Sequence, residues 1–103
     1  MNWYVAVGIA VTEKQLHLVR NILTRIVPDA DCFAFGSRLG AHHHRYSDLD
    51  VAVRAARPIP LAALSELEEA FAESDLPFRV DVVDLHRASP EFQRLVEARH
   101  IRI

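Results

Sequence analysis

The chain has 103 residues, a length that fits one domain with a single hydrophobic core. Half of the residues are hydrophobic, a quarter are charged and the formal net charge is -2, which excludes a disordered chain and a broadly basic surface for nucleic acid. The only cysteine is Cys32, so neither an intrachain disulfide nor a cysteine-based zinc site is expected, as is typical of a cytoplasmic protein. We expect one domain over residues 1–103, with no direct nucleic-acid partner.

The N-terminal residues are apolar, but they lack the basic region and cleavage pattern of a signal peptide. No apolar run approaches the roughly 18 residues of a membrane span. We therefore expect a mature protein that is neither secreted nor embedded in a membrane. Residues 3–9 are either an edge strand or a tail that docks on a partner, and the sequence leaves both open.

The first predicted helix spans about residues 12–27, because Thr12 and Gln15 have capping-box spacing and apolar residues then recur on one face until Pro28. Residues 32–35 form a short apolar run that stops at Gly36 and Ser37, which predicts a buried strand followed by a turn. Cys32 belongs to this run, and we expect it to pack in the core.

The next predicted strand alternates between two kinds of side chain. Leu49, Val51 and Val53 are apolar, and between them stand Asp48, Asp50 and Ala52. One face of the strand is therefore apolar, and the other presents two carboxylates.

A second amphipathic helix is predicted from Leu61 to about Ser74, and a third strand over residues 78–85. In that strand Val80 and Val82 share one face, whereas Asp81 points to the other. Ser89 and Pro90 predict the start of a last helix, with Phe92, Leu95 and Val96 on its buried side. Residues 100–103 are either an edge strand or a trailing end. This order predicts an α/β (α+β) fold, with helices packed on a small mixed sheet.

Asp48 and Asp50 stand two residues apart on a strand, so their side chains lie within about 7 Å of each other on the same face. Two carboxylates at this distance repel unless a cation lies between them, and oxygen ligands favour Mg²⁺, Mn²⁺ or Ca²⁺. Because Mg²⁺ completes its shell with phosphate oxygens and water, the pair indicates a phosphate-bearing ligand. The residues just upstream are suited to binding a phosphate. Gly36 permits a close approach of the backbone, Ser37 offers a hydroxyl, and Arg38 offers a charged guanidinium that can donate two hydrogen bonds.

The complete pattern is Gly36-Ser37, ten residues, Asp48-Leu49-Asp50, and Asp81 on a later strand. It resembles the signature of the DNA polymerase β-like nucleotidyltransferase superfamily. Within that superfamily, the chain resembles the minimal nucleotidyltransferases, both in its short length and in its Phe-Gly-Ser-Arg and Ser-Asp-Leu-Asp motifs. Relatives commonly have a glycine four residues after the serine, whereas here Gly40 comes one position early.

The resemblance implies a nucleotidyltransferase fold and a role for each matching residue. Gly36 and Ser37 would bind the triphosphate and Arg38 would contact phosphate. Asp48, Asp50 and Asp81 would be catalytic residues that hold two Mg²⁺ ions, with Asp81 also activating the acceptor hydroxyl. Asp84 is the less suitable third carboxylate, because it shares the parity of Val80 and Val82.

Minimal nucleotidyltransferases are typically encoded beside a HEPN-domain protein, an RNase toxin that they neutralise. The resemblance therefore implies an enzyme that transfers AMP from ATP to a tyrosine of a HEPN partner, forming a hetero-oligomer. Two alternatives stay open: an antitoxin that inhibits its partner by binding alone, and a transferase for small molecules such as aminoglycosides, completed by a helical partner subunit.

Three consecutive histidines, His42, His43 and His44, follow the phosphate loop. Neighbouring residues cannot all point at one ion without a distorted loop, so a pH-sensitive rim is favoured over a zinc site.

Overall fold

The computed structural model describes residues 8–40 and 47–103. These residues contain three α-helices and four strands, with a short 3₁₀ turn after β1 and another after β3. In chain order these elements are α1 (Glu13–Ile26), β1 (Asp31–Phe35), a 3₁₀ turn (Ser37–Leu39), β2 (Leu49–Arg54), α2 (Leu61–Ala72), β3 (Val80–Asp84), a 3₁₀ turn (Leu85–Arg87), α3 (Pro90–Ala98) and β4 (Ile101–Arg102).

The strands form one mixed sheet in the order β3-β2-β1-β4. β1 is antiparallel to both β2 and β4, whereas β2 and β3 are parallel and are connected through α2. The predicted class, helices on a small mixed sheet, is confirmed. Of the two possibilities for the last residues, the structure has the edge strand, since Phe33 and Ala34 of β1 pair with Arg102 and Ile101 of β4.

Two hydrophobic clusters lie on opposite faces of the sheet. The larger one packs α1 and α2 against Leu49, Val51, Val53 and Val80, and it also contains Cys32. The smaller one lies under α3 and contains, among others, Phe33, Phe35, Ala52 and Val96. The alternation along β2 therefore buries its odd-numbered residues under α1 and α2 and turns its even-numbered residues toward α3.

The helix boundaries follow their capping residues. Thr12 and Gln15 form the predicted capping box at the start of α1, and the Ser89 side chain accepts a hydrogen bond from the Phe92 amide at the start of α3. One predicted buried position is wrong, because Leu95 is 61% exposed, and Leu61 at the start of α2 is also 67% exposed. Leu61 opens its helix at the surface, and Leu95 stands beside Val96 on a helix that buries a single narrow stripe.

In the described part of the chain, no helix is both long enough and apolar enough to cross a bilayer. Residues 3–7 of the predicted N-terminal strand or tail lie outside the described residues.

Candidate active site

Three chain segments meet at one end of the sheet. Because β1 is antiparallel to β2, the end of β1 lies beside the start of β2, and Phe35 pairs with Asp50. β3 runs parallel to β2, and their register sets Asp50 beside Asp81. The turn at Gly36 therefore lies at the same end as the two carboxylates, with Asp48 directly before β2.

Asp50 lies near the negative charges of the two other carboxylates. Asp50 is half-buried, and its pKa is raised by burial first, then by the negative charges of Asp81 and Asp48. A cation at this point relieves that repulsion, and an all-oxygen set suits Mg²⁺, which needs only one or two carboxylates. Within residues 8–40 and 47–103, no three acidic, histidine or cysteine side chains are already gathered as a finished metal cluster. The carboxylates fit Mg²⁺ by their chemistry, and Asp81 is held in an ion pair with Arg79.

Gly36 is required by the closeness of the turn to Asp50. Its φ is +83° and its ψ is -156°, a conformation that is essentially restricted to glycine. A Cβ at this position would overlap Asp50 Oδ2 and stand 3.1 Å from Asp50 Cγ. The glycine thus lets the backbone lie directly against the Asp50 carboxylate. The close approach of this backbone to a phosphate stays a prediction.

Ser37 is exposed and begins the 3₁₀ turn that follows Gly36. The turn is closed by the Leu39 amide, which donates to the Gly36 carbonyl at 3.1 Å, and by the Gly40 amide, which donates to the Ser37 carbonyl at 3.1 Å. Arg99, at the end of α3, donates from Nη2 to the Leu39 carbonyl at 2.6 Å. The loop is therefore fastened to the last helix while the Ser37 hydroxyl faces outward.

Arg38 is placed differently from its predicted role, because it is only 1% exposed. Its Nε donates to the Ser47 carbonyl at 2.9 Å and its Nη1 donates to the Ala10 carbonyl at 2.7 Å. The guanidinium also lies 4.1 Å from the centre of the Phe78 ring, and burial lowers its pKa, partly offset by Asp48. Arg38 thus ties together the segments that carry the carboxylates, and a phosphate contact stays a prediction.

Asp81 and Asp84 have different environments, as their parity predicted. Asp81 is partly exposed and forms an ion pair of 3.0 Å with the exposed Arg79. Asp84 is buried and its carboxylate accepts from the Ile59 amide at 2.7 Å, the His86 amide at 3.0 Å and Arg87 at 2.6 Å. Asp84 therefore stabilises the fold, whereas Asp81 is accessible from the candidate active site.

Sequence patterns did not reveal the anchoring roles of Arg99 and Phe78. Arg99 lies 60 residues from its carbonyl partner, and Phe78 follows Arg38 by forty residues. A single arginine or phenylalanine at such a distance carries no local signal. His42, His43, His44 and Tyr46 lie outside the described residues.

A mixed sheet with Asp48, Asp50 and Asp81 at the end that carries a tight glycine turn is the arrangement expected of a nucleotidyltransferase. A family model described as "Polymerase beta, Nucleotidyltransferase" matches residues 19–103. The chain belongs to this nucleotidyltransferase family, and it is an enzyme of that class.

The chain is similar to a probable protein adenylyltransferase and to chains of solved toxin–antitoxin complexes. It is 39% identical over 93 residues to the "Probable protein adenylyltransferase MntA" of Haemophilus influenzae, covering 90% of this chain and 82% of MntA. A solved toxin–antitoxin complex with AMP-PNP superposes with a TM-score of 0.73 at 32% identity, over 84% of this chain and 69% of that one. A complex of the tri-AMPylated Shewanella oneidensis HEPN toxin with MNT antitoxin superposes with a TM-score of 0.66 at 32% identity. The match covers 86% of this chain and 70% of the chain in that complex. The resemblance stated from the sequence is confirmed.

Proposed function

We propose that this nucleotidyltransferase transfers AMP from ATP, in the presence of Mg²⁺, to a tyrosine hydroxyl of a HEPN-type RNase toxin. The transfer would neutralise the toxin, so the chain would act as its antitoxin in the cytoplasm. The similarity to MntA and to a complex containing an AMPylated HEPN toxin supports this choice of donor and acceptor.

The observation that carries the proposal is the register between β2 and β3. It sets Asp81 beside Asp50, and Asp50 lies against the glycine turn. A triphosphate on this turn would meet acidic side chains at its α-phosphate, where cations are needed to balance the charge that develops during transfer. The proposal therefore depends on the carboxylates and the glycine turn lying at the same end of the sheet.

In the proposed reaction, the tyrosine oxygen attacks the α-phosphorus of ATP and forms the new O–P bond. The bond from the α-phosphorus to the bridging oxygen breaks, and pyrophosphate leaves with the electron pair. Bound Mg²⁺ supplies charge stabilisation on both the attacking and the leaving side. Asp48, Asp50 and Asp81 would hold two such ions, and Asp81 would accept the phenolic proton.

Gly36 and Ser37 would bind the triphosphate. Gly36 permits the close approach of backbone to ligand, and the exposed Ser37 offers a hydroxyl. Arg38 has a supporting part, because its buried guanidinium holds the Ser47 carbonyl immediately before Asp48.

The test is a transfer assay on the chain co-expressed with its HEPN partner. Incubation with α-labelled ATP and Mg²⁺ should label the partner, and Asp50→Asn and Asp81→Asn should each abolish the label. Asp29→Asn is the matched control, since Asp29 is an exposed acid in the turn after α1 and outside the site. Its labelling should equal that of the wild type.

The alternatives give different results in the same assay. An antitoxin that acts by binding alone would form a stable complex without label, and Asp50→Asn would still neutralise the toxin. A small-molecule transferase would label an added aminoglycoside and leave the partner unlabelled. Either result would overturn the proposal.

A further inference from the structure

A cleft of about 730 Å³ lies beside the candidate active site. Asp48 and Asp81 contribute to its wall, so the cleft opens onto these two carboxylates. Val82 and Asp81 both line it, although successive residues of a strand point to opposite faces of the sheet. The cleft therefore runs along the edge of the sheet, where both faces are reached, and its far side is formed by the end of α2 and the connection after it.

The strand at this edge has backbone groups that point into the cleft. β3 is the outer strand of the described sheet. The Arg79 carbonyl accepts from the Leu49 amide of β2 at 2.8 Å, so the backbone of Arg79 faces inward. Backbone direction alternates along a strand, and the amides and carbonyls of Val80 and Val82 therefore face outward. An outer edge of this kind can accept a further strand from another chain.

The layout of the site assigns a direction to each substrate. The glycine turn lies on the β1 side of Asp50, and Asp81 lies on the β3 side. In phosphoryl transfer the attacking and leaving oxygens stand in line on opposite sides of the phosphorus. With the pyrophosphate end of ATP on the glycine turn, the attacking hydroxyl has to approach from the β3 side, which is where the cleft opens.

From this geometry we propose that the cleft along β3 is the acceptor site, and that it takes an extended protein segment with its tyrosine directed at Asp81. This inference rests on the proposed function. The segment pairs with the outward backbone groups of Val80 and Val82. Its neighbouring side chains lie against the apolar wall, which is made of Phe71, Leu76, Pro77 and Phe78.

The charged residues of the cleft indicate which side chains the bound segment should carry. Glu68 is the acidic residue that α2 contributes to the cleft, and none of the ion pairs among the described residues involves it. Arg79, the basic residue of the cleft, is paired with Asp81. A segment with a basic residue near its tyrosine therefore matches the cleft better than an acidic one.

The first experiment blocks the cleft without altering the carboxylates. Ala72 is exposed at the end of α2 and lines the cleft, so Ala72→Arg fills the space. Ala62→Arg is the matched control, because Ala62 is exposed on the first turn of the same helix and does not line the cleft. We expect Ala72→Arg to raise the KM for the HEPN partner about tenfold or more, while the Kd for ATP stays within about twofold. Ala62→Arg should leave both constants unchanged.

A second pair of variants tests the charge. Glu68→Lys should raise the KM for the partner, whereas Glu66→Lys, an exposed acid on the same helix outside the cleft, should not. Hydrogen exchange provides a readout of strand pairing, since the amides of Val80 and Val82 should become protected when the partner binds.

Each remaining outcome contradicts the inference in a recognisable way. A loss of ATP affinity in Ala72→Arg would show that the cleft holds the nucleotide. An unchanged KM for the partner, with normal labelling, would show that the acceptor enters elsewhere while leaving the proposed function intact. Absence of label in the wild type would overturn the proposed function, and the inference with it.

Discussion

Replacing Arg38 with methionine tests whether this buried guanidinium holds the active site together. The substitution removes charge-assisted hydrogen bonds to the carbonyls of Ala10 and Ser47, as well as the contact with the Phe78 ring. Hydrogen bonds to charged groups contribute about 1.5–3 kcal/mol each, and a desolvated cation–π contact about 2 kcal/mol. Removal of the charge also recovers its desolvation cost, which is the main reason why the pKa of Arg38 is lowered. We therefore expect a net loss of about 3–5 kcal/mol, typical of a broken buried charge network.

Urea unfolding followed by circular dichroism measures this loss. Arg38→Lys keeps the charge, but a single ammonium cannot reach both carbonyls as a fork does, so its loss of stability should lie between those of wild type and Arg38→Met. Arg94→Met is the control, because Arg94 is exposed and forms a long ion pair of 3.9 Å with the exposed Glu91. A loss below about 1 kcal/mol in Arg38→Met would refute the role of Arg38 as a structural anchor.

Other substitutions distinguish residues needed for transfer from residues that stabilise the fold. Gly36→Ala should abolish transfer and lower the melting temperature, because the new Cβ overlaps the Asp50 carboxylate in a conformation unfavourable to alanine. Asp50→Asn should abolish transfer yet raise the melting temperature at pH 7, because the pKa of Asp50 is raised by burial and repulsion. This gain should vanish below the unfolded pKa of about 4, where the wild-type carboxyl is neutral in both states. Asp84→Ala should cost about 3–5 kcal/mol in urea unfolding, while Asp81→Ala should remove transfer at little cost in stability. Burial raises the pKa of the Cys32 thiol to about 11, so a thiol reagent at pH 8 should react slowly with folded protein and rapidly in urea.

The order of elements followed from hydrophobic periodicity and its interruptions. The capping box at Thr12 fixed the start of α1, and the alternation from Asp48 to Val53 fixed both the strand and its two faces. The positions of Asp50 and Asp81 on the same face were predictable for the same reason. Their catalytic roles stay predictions until the transfer assay is done.

Tertiary contacts explain what the sequence could not provide. The burial of a helix position depends on what packs against it, so Leu61 and Leu95 match the period and are still exposed. The direction of Arg38 depends on the 3₁₀ turn and on Phe78, forty residues later in the chain, and neither follows from a local pattern. The cleft along β3 arises from the sheet order, which brings the residues before Asp81 to an outer edge.

Under the proposed function, the parallel pairing of β2 and β3 makes transfer depend on correct strand pairing. Asp50 and Asp81 are brought together only when the two strands pair in the observed register, across the α2 crossover. A slip of one residue would turn Asp81 toward the α1 and α2 side and set a valine beside Asp50. A misregistered molecule could keep the helix content and compactness of the native one and still transfer nothing. Transfer activity is thus a more sensitive measure of native topology in this chain than any spectroscopic signal of secondary structure.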